Sequence, residues 1–270
     1  MLPGIGLNYA LTEGLNLFTG IHRGYTPPST SALLFLNGGG AGSGLDVRSE
    51  KSWNSELGAR FANAWAAAEL CGYHLFIEDL VAPASGVTFK NLGKARTYGV
   101  EASGRVAASK LNRFIPDVHF AYTWLVSEVV EGTVKASQDP NPDAEADIAG
   151  NRLPYAPEHT LVAGLSRDFA FGLTVGADAK YVSWIYTDYE NLDFTQNRGD
   201  VGPLDGYVVY DANASYRRGR FTVFANAKNL LDNVYASSRL HSTPYHKAAD
   251  VQGILVGPRR QINLGVARTF

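Results

Sequence analysis

The chain has 270 residues, of which 45% are hydrophobic and 19% are charged, and its formal net charge is −2. This balance is typical of a folded protein and excludes a disordered or collagen-like chain. The sequence pI is about 6.3, and the Lys and Arg residues are scattered rather than clustered, which argues against nucleic acid as a partner. Cys71 is the single cysteine, so the sequence excludes an internal disulfide and a multi-cysteine metal site.

No stretch of about 20 apolar residues is present, so an inner-membrane helix is not predicted. The nearest candidate for a helix is the Ala-rich segment 61–77, which is interrupted by Asn63, Glu69 and His74. The N-terminal sequence MLPGIGLNYALTEG also lacks a basic region followed by an apolar core, so it does not predict a signal peptide. We therefore expect the true start of an exported protein to lie upstream of Met1, or the chain to be a fragment.

Apolar and polar residues alternate along most of the chain, which predicts β-strands. The predicted strands are 7–11, 15–25, 52–62, 65–79, 96–108, 117–130, 153–168, 171–187 and three within 207–270. Short turns alternate with long loops, and the long loops are predicted at 26–51, 80–95, 131–152, 188–206 and 236–258. The pattern therefore predicts an all-β, antiparallel protein with about eleven strands.

The predicted strands are longer than the roughly 5–6 residues of a typical soluble sandwich, and they reach the roughly 9–11 residues that a tilted strand needs to cross a bilayer. Val118, Phe120 and Tyr122 share one strand face, opposite Asp117 and His119. An apolar face opposite a polar one is typical of a transmembrane barrel wall. Aromatic residues near the strand ends predict interfacial girdles, although large aromatics also fill soluble cores. These aromatics are Tyr25, Trp53, Trp124, Tyr155, Trp184, Tyr186, Tyr189, Tyr207 and Tyr235.

Several phrases of the sequence form a further pattern, in order along nearly the whole chain. They are HRGYTPPS at 22–29, EKSWNSELGAR at 50–60, NLGKARTYGVEASGRV at 91–106, GNRLPYAPEHTLVAGL at 150–165, FANAKNLLDNVYASSRL at 224–240 and GILVGPRRQINLGVARTF at 253–270. With these phrases the chain resembles TonB-dependent outer-membrane receptors, most closely the ferric-citrate and siderophore branch. The resemblance implies an antiparallel transmembrane β-barrel of twenty-two strands around an N-terminal plug. Residues 1–270 would then be the C-terminal portion of the barrel domain, roughly half of its wall, without the plug or the TonB-contacting box.

The resemblance also implies a function and its partners. It implies a receptor in the cell outer membrane that takes up ferric chelates, either a siderophore or ferric citrate, by TonB-dependent active transport. The implied partners are outer-membrane lipid, the ferric chelate, TonB acting through the plug, and the barrel assembly machinery, which recognises a terminal aromatic such as Phe270. No resident cofactor or metal is implied, and the family mechanism requires the plug.

Candidate site residues are few. Arg239, His241, Tyr245 and His246 share one predicted loop and are the candidates for contact with an iron chelate, although a solvated loop is the commoner role of such residues. The acidic segment 139–147 matches a calcium-loop template only in part, since Ala144 and Gly150 replace its glycine and its glutamate. No GxSxG, HExxH or Walker motif is present, so no enzyme is predicted.

Two other classes of protein remain open at this stage. A complete small outer-membrane barrel, acting as a passive pore or a barrel enzyme, predicts an even number of strands and closure between residues near 7 and near 265. A soluble β-rich binding domain predicts that both faces of the long strands are buried in protein. The arrangement of the strands and the exposure of their faces distinguish these alternatives.

Overall fold

The computed structural model describes residues 1–27, 47–85, 88–136, 141, 144–193, 202–240 and 253–270. In this part of the chain the regular structure is β-strand, apart from one turn of 3-10 helix at Ala108–Lys110. None of the described helices is long and apolar enough to cross a membrane.

The strands, in chain order, are β1 Gly4–Thr12, β2 Leu15–Thr26, β3 Glu50–Ala62, β4 Ala66–Ser85, β5 Thr88–Val106, β6 Asp117–Lys135, β7 Glu145–Asp147, β8 His159–Asp168, β9 Leu173–Val182, β10 Tyr207–Arg218, β11 Phe221–Lys228, β12 Ala236–Leu240, β13 Gly253–Val256 and β14 Gln261–Arg268. Among the described residues, eleven of them follow one another in a single antiparallel path, in the order β1-β2-β3-β4-β5-β6-β8-β9-β10-β11-β14. Strand β7 pairs with the extension of β6, and β12 pairs with β13 as a separate hairpin. The predicted all-β, antiparallel fold is confirmed, and the predicted count of about eleven strands matches this path, but β7, β12 and β13 were not predicted.

Two of the predicted loops are wrong in extent. Segment 80–95 was expected to be a loop, but β4 and β5 continue through most of it as one long hairpin of 20 and 19 residues. Segment 131–152 was also expected to be a loop, but β6 extends to Lys135 and pairs with β7. Segment 61–77 is strand and not helix on both sides of the turn at 63–65. Pairing with the neighbouring strand supplies the backbone hydrogen bonds that local sequence signals do not reveal.

The side chains of the sheet divide into an apolar face and a polar face, since successive residues of a strand point to opposite sides. The register places Leu57 beside Thr19 and Gly72, and places Glu56 beside Gly20 and Tyr73. Large side chains on the apolar face are exposed, and they include Ile5, Leu7, Leu17, Ile21, Leu57, Leu70, Phe120, Leu161, Leu165, Tyr181, Tyr210, Val223, Ile262, Leu264 and Val266. The polar face carries Asn8, Asn16, Glu56, Arg60, Glu69, Glu101, Ser103, His119, Thr123, Asp178, Lys180, Asp211, Asn213, Asn226 and Asn263.

Very little of this sheet is buried in protein. Within the described ranges the buried hydrophobic residues are Cys71, Leu92, Ala95, Val129, Ile148 and Leu204. Leu57 and Leu264, by contrast, keep 68% and 77% of their surface exposed. The soluble β-rich domain, which required both faces to be buried, is therefore not the arrangement that this chain adopts.

The first and last strands of the path lie at its two edges. Leu7 pairs with Thr19, and Gly265 pairs with Phe224, but in the described part of the chain β1 and β14 do not pair with each other. The closure expected for a complete small barrel is thus wrong. An odd number of antiparallel strands also makes the two edge strands parallel, so they are not oriented to complete an antiparallel barrel together.

Close packing of the strands can be tested at Gly99, in the middle of β5. A Cβ added at this residue would clash with the carbonyl oxygen of Trp124 on the neighbouring strand. We therefore expect Gly99→Ala to displace β6 and to lower the free energy of unfolding by about 1–2 kcal/mol. Gly72 is the matched control, because a Cβ there meets only Leu57 O at 3.9 Å and Gly99 O at 4.0 Å. Urea unfolding of both variants in detergent checks this, and equal stability of the two would contradict it.

Candidate functional site

The loops of the sheet differ between its two rims. Short connections at 13–14, 63–65, 107–116, 169–172 and 219–220 lie at one rim, because consecutive strands of the path are antiparallel. The other connections, four of which are long, lie at the opposite rim, where the extended β4–β5 hairpin also ends, and we call it the long-loop rim. The sequence-predicted site residue Arg239 belongs to this rim, in β12.

The long-loop rim has a small hydrophobic cluster of its own. Leu92, Val129 and Ile148 are buried together, with Leu153 and Tyr189 packed against them. Burial raises the pKa of the Tyr189 hydroxyl above its ordinary value. Tyr189 was predicted to belong to an interfacial girdle, but it packs inside the loop cluster. The segments that follow β6 and β9 therefore pack together rather than extending separately into solvent.

Arg239 joins three loop segments. Its side chain is buried, with the residue only 4% exposed, and its Nε donates to the carbonyl of Gly202 at 3.1 Å and Nη2 to the carbonyl of Pro203 at 2.9 Å. Its backbone N–H donates to the hydroxyl of Tyr155 at 3.4 Å. Arg239 thus connects the loop after β11 with the loop after β9 and with the segment that precedes β8.

A second set of hydrogen bonds holds the loop after β9 together and joins it to the segment that precedes β8. Asp188 accepts from the backbone N–H of Leu192 and of Gly202, each at 3.2 Å. The Asn191 side chain accepts from the Arg152 N–H at 2.6 Å and donates to the Arg152 carbonyl at 2.9 Å. This paired contact is equivalent to a short piece of strand pairing between two loops. We call Arg239, Tyr155, Asp188, Asn191 and Arg152 the loop clamp.

The phrase KNLLDN at 228–233 also has a structural role at this rim. Asn229 is buried in a left-handed conformation with φ of 48°, and its side chain donates to the carbonyls of Asn233 and Pro258 at 2.8 and 3.0 Å. The Asn233 side chain donates to the carbonyl of Val208 at 2.9 Å. Asparagine tolerates this backbone conformation better than most residues. The phrase therefore joins the two ends of the last long loop to β10.

Asp232 closes the base of the same loop. Its carboxylate accepts from Nε of Arg259 at 2.9 Å and from the backbone N–H of Arg260 at 2.8 Å. The hydrogen bonds of the Arg259 side chain, followed by that of the Arg260 N–H, hold the pKa of the Asp232 carboxyl well below its ordinary range. The folded state thus favours the charged carboxylate. Its contribution is present above the ordinary aspartate pKa and is lost only as the pH falls through the lowered value.

Replacing Asp232 with Asn is expected to loosen this loop at neutral pH, because the amide removes the negative charge and places a donor against Arg259. Hydrogen exchange measured at pH 7 should become faster at the amide of Arg260. In the unsubstituted protein, the Arg260 amide should be equally protected at pH 7 and at pH 5, once the exchange rates are corrected for their intrinsic pH dependence. Asp205→Asn is the control, since Asp205 is an exposed acid at the same rim. Unchanged protection in Asp232→Asn would contradict the role of the carboxylate.

The other sequence-predicted site residues have different positions. His241, Tyr245 and His246 lie outside the described residues, so their proximity to Arg239 stays a prediction. Phe270 ends the chain beyond β14 and is 99% exposed, and Thr269 N–H donates to the Arg220 carbonyl at 2.9 Å. The terminal aromatic therefore lies at the rim of the short turns.

Metal-binding clusters are not found in the described ranges, where no three His, Cys, Asp or Glu residues are close enough to hold an ion. The calcium-loop segment falls partly outside the described residues. Two of its acids have other contacts: Glu145 accepts from the Thr133 hydroxyl at 2.9 Å, and Asp147 accepts from the Ala149 N–H at 2.9 Å.

Comparison with known families identifies this architecture. Residues 1–230 match the family described as TonB dependent receptor-like, beta-barrel. The chain belongs to this family. The family is one of receptors and transporters and not of enzymes, which confirms both the predicted resemblance and the prediction that the chain is not an enzyme.

Individual relatives agree with the family. The chain is 26% identical over 243 residues to the pesticin receptor of Yersinia enterocolitica, covering 87% of this chain and 32% of that protein. It is 28% identical over 245 residues to the catecholate siderophore receptor Fiu of Escherichia coli, covering 86% and 29%. Its fold is similar to the crystal structure of the ferric citrate transporter FecA in the unliganded form, with a TM-score of 0.76, 20% identity and coverage of 99% of this chain and 38% of that one. The chain thus spans about a third of the length of these relatives.

The loop clamp was only partly predictable from sequence. Arg239 was a candidate because it shares a predicted loop with two histidines and a tyrosine, but its partners are 36 and 37 residues away in sequence, at Pro203 and Gly202, and 84 residues away at Tyr155. Arg152 and Tyr155 belong to the phrase GNRLPYAP, which carried the family resemblance. Tyr155 was predicted to be a girdle aromatic, but its hydroxyl accepts from the Arg239 N–H within the loop clamp. Asp188 and Asn191 were missed, and their sequence context gives no signal for the contact.

Proposed function

We propose that the chain is part of the barrel wall of an outer-membrane receptor that takes up ferric chelates in a TonB-dependent way. The observation that carries the proposal is the family match over residues 1–230, and the similarity to a catecholate siderophore receptor and to a ferric citrate transporter supports this class of cargo. On this proposal all of residues 1–270 belong to the barrel domain. TonB would act through a plug, as the resemblance implies.

The geometry supports a location in the outer membrane. The apolar face runs from β1 to β14 and is exposed, which is costly in water but favourable against lipid. Aromatic side chains lie near both ends of this face, with Trp53 and Trp184 toward the long-loop rim and Phe61 and Phe221 toward the short turns. Two aromatic belts are typical of a barrel wall at its two membrane interfaces.

The long-loop rim is the proposed side of ligand entry. The loop clamp keeps three loops in a fixed arrangement, and the loop that carries Arg239 continues into His241, Tyr245 and His246. The Arg239 guanidinium donates to two loop carbonyls, so its proposed role is to position the loop. His241, Tyr245 and His246 are proposed as the groups that contact an anionic ferric chelate, through charge-assisted hydrogen bonds.

Phe270 is proposed as the signal that the barrel assembly machinery recognises. Its ring lies beyond the last paired residue of β14 and remains accessible. Removal of Phe270 should therefore reduce insertion more than removal of a girdle aromatic.

The test is uptake of radioactive iron by an iron-starved Gram-negative host that lacks its own ferric-chelate receptors and expresses the gene product carrying this chain. Ferric citrate and a ferric catecholate are supplied separately, with a strain lacking TonB as the control. Uptake of either chelate that disappears without TonB is expected. A protein that reaches the outer membrane but supports uptake of neither chelate would overturn the proposed cargo, and one that remains soluble without detergent would overturn the location.

A further inference from the structure

Three arginines lie within one tight turn at the rim of the short connections. Arg217 and Arg218 end β10, and Arg220 follows Gly219, whose φ of 61° gives the turn its left-handed residue. Because Arg217 and Arg220 are so close in sequence, their Cα atoms are at most about 10 Å apart. All three arginines are exposed. We call Arg217, Arg218 and Arg220 the arginine turn.

The arginine turn has no carboxylate partner in the part of the chain that the structure describes. None of its arginines takes part in the ion pairs found there, and the residues beside them in register are Thr222 and Phe221. The carboxylate of Asp168 lies two strands away and accepts from the Thr174 hydroxyl at 2.5 Å. Like charges held this close together raise the free energy of the turn. A bound anion would lower it.

The cations of the long-loop rim have a different environment. Arg48 pairs with Asp79 at 2.8 Å, and Lys94 pairs with Glu131 at 2.6 Å. The chain thus supplies carboxylates to cations at that rim, whereas it leaves the arginine turn without one at the opposite rim. An anion for the arginine turn has to come from outside the described residues.

The direction of the arginines distinguishes a soluble partner from the membrane. Arg217 shares the polar face with Ser215, opposite the apolar face that carries Tyr216. Arg220 lies in the turn itself, beyond the pair of Arg218 with Phe221 that ends the hairpin. A lipid headgroup beside the apolar face can reach Arg218, but Arg217 is on the other side of the sheet. The partner of Arg217 and Arg220 therefore approaches from the aqueous side of the rim.

We infer that the arginine turn binds an extended acidic peptide segment of a soluble protein, with the carboxylates of alternate peptide residues at Arg217 and Arg220. Carboxylates on alternate residues of an extended peptide are about 6.5–7 Å apart, so two of them fit two separate arginines where one small anion would not. Guanidinium forks also match carboxylates bidentately. The inference goes beyond the proposed function and rests on it in one respect, that the short turns lie on the side opposite ligand entry.

The test compares two double variants. Arg217→Gln combined with Arg220→Gln removes the proposed contacts and keeps polar side chains in the turn. Arg48→Gln combined with Arg260→Gln is the matched control, because it removes the same charge from two exposed arginines of the long-loop rim.

The protein carrying this chain is purified in an uncharged detergent, and binding of a fluorescent hexaglutamate peptide is measured by anisotropy. Hexaglutamine is the uncharged counterpart. We expect the unsubstituted protein and the control variant to bind hexaglutamate, more weakly as the salt concentration rises, and to bind no hexaglutamine. The double variant of the arginine turn should bind hexaglutamate about five- to tenfold more weakly, because two exposed ion pairs are lost.

Urea unfolding in the absence of peptide separates a binding role from a structural one. The double variant of the arginine turn should be at least as stable as the unsubstituted protein, because it has fewer like charges in the turn. Lower stability would show that these arginines have partners within the molecule and would overturn the inference.

Equal binding of hexaglutamate by the two double variants would also overturn it. Binding in phosphatidylcholine nanodiscs that disappears in phosphatidylglycerol nanodiscs would make the membrane surface the partner and refute the peptide. The two proposals can fail separately. A protein that takes up ferric chelates but binds no hexaglutamate refutes only the peptide site, and one that binds hexaglutamate but takes up no chelate refutes only the proposed cargo.

Discussion

Replacing Leu161 with Arg is expected to lower the free energy of unfolding by about 1–3 kcal/mol, because it places a charge on the apolar face that we propose lies against lipid. Leu161 pairs with Tyr122 and Tyr181. Its row on the apolar face crosses β3 at Ala59, between Trp53 and Phe61. An arginine there must either stay in the apolar phase or reach past Phe61 to the nearer interface, and both cost free energy.

Thr160→Arg is the control for this experiment. Thr160 is adjacent in the same strand and points to the opposite, polar face, where it lies beside Thr123. The two variants therefore add the same charge to the same strand, and they differ only in the face of the sheet that carries it. We expect Thr160→Arg to change the free energy of unfolding by less than about 1 kcal/mol. Urea unfolding in vesicles and the amount of protein in the outer-membrane fraction check both variants. Equal effects at Leu161 and Thr160 would refute the assignment of the two faces.

The architecture of the sheet was largely predictable because it depends on a local property. Val118, Phe120 and Tyr122 alternate with His119, Ala121 and Thr123 in the sequence, and the pleat of a strand converts that alternation into two faces. Chain segments that cross a membrane must satisfy every backbone group within the sheet, so the strands are long and regular. For this reason the eleven strands of the main path, their order and their faces were predicted, whereas β7, β12 and β13 at the long-loop rim were not.

The long-loop rim was less predictable because its contacts are not local. The predicted loop 80–95 contains Pro83 and Gly93, which indicate a break in a strand. Most of it is nevertheless strand, because β4 and β5 continue to pair with each other beyond the point where the neighbouring strands end. Tyr189 looked like a girdle residue from its position near a strand end. Its actual place was decided by Leu92 and Val129, on strands distant in sequence. No pattern within one segment contains that information.

The sequence phrases that carry the family resemblance are a different case. They indicated the family but not what their residues do in the structure. Asn229 and Asp232 stood out as part of KNLLDN, and the resemblance gave them only a family. The structure gives the physical reason: one side chain holds a left-handed turn and the other closes the loop through Arg259. Both residues therefore act by positioning the loop that carries Arg239, and neither is placed as a ligand contact.

Replacing Arg239 with Ala is expected to separate the loop after β11 from the loop after β9. The carbonyl of Pro203 would lose its Arg239 donor inside a buried site, while the carbonyl of Gly202 would keep only the Thr187 hydroxyl at 2.7 Å, and an unpaired buried acceptor costs about 1–3 kcal/mol. We expect the local opening free energy of these loops to fall by about 2–4 kcal/mol. Hydrogen exchange at the amides of Leu192, Gly202 and Leu204 should become faster by more than about tenfold, and the strands of the wall should keep their protection.

Two further variants separate the donors of Arg239 from its charge. Arg239→Lys keeps the charge but loses the planar fork, so it should restore little of the protection. Arg218→Ala, at an exposed arginine of the opposite rim, removes the same charge and should leave exchange in the loops unchanged. If chelate binding also weakens in Arg239→Ala while the wall stays protected, Arg239 acts on the ligand through the position of the loop. Binding lost with loop protection intact would instead make Arg239 a direct contact and refute the clamp.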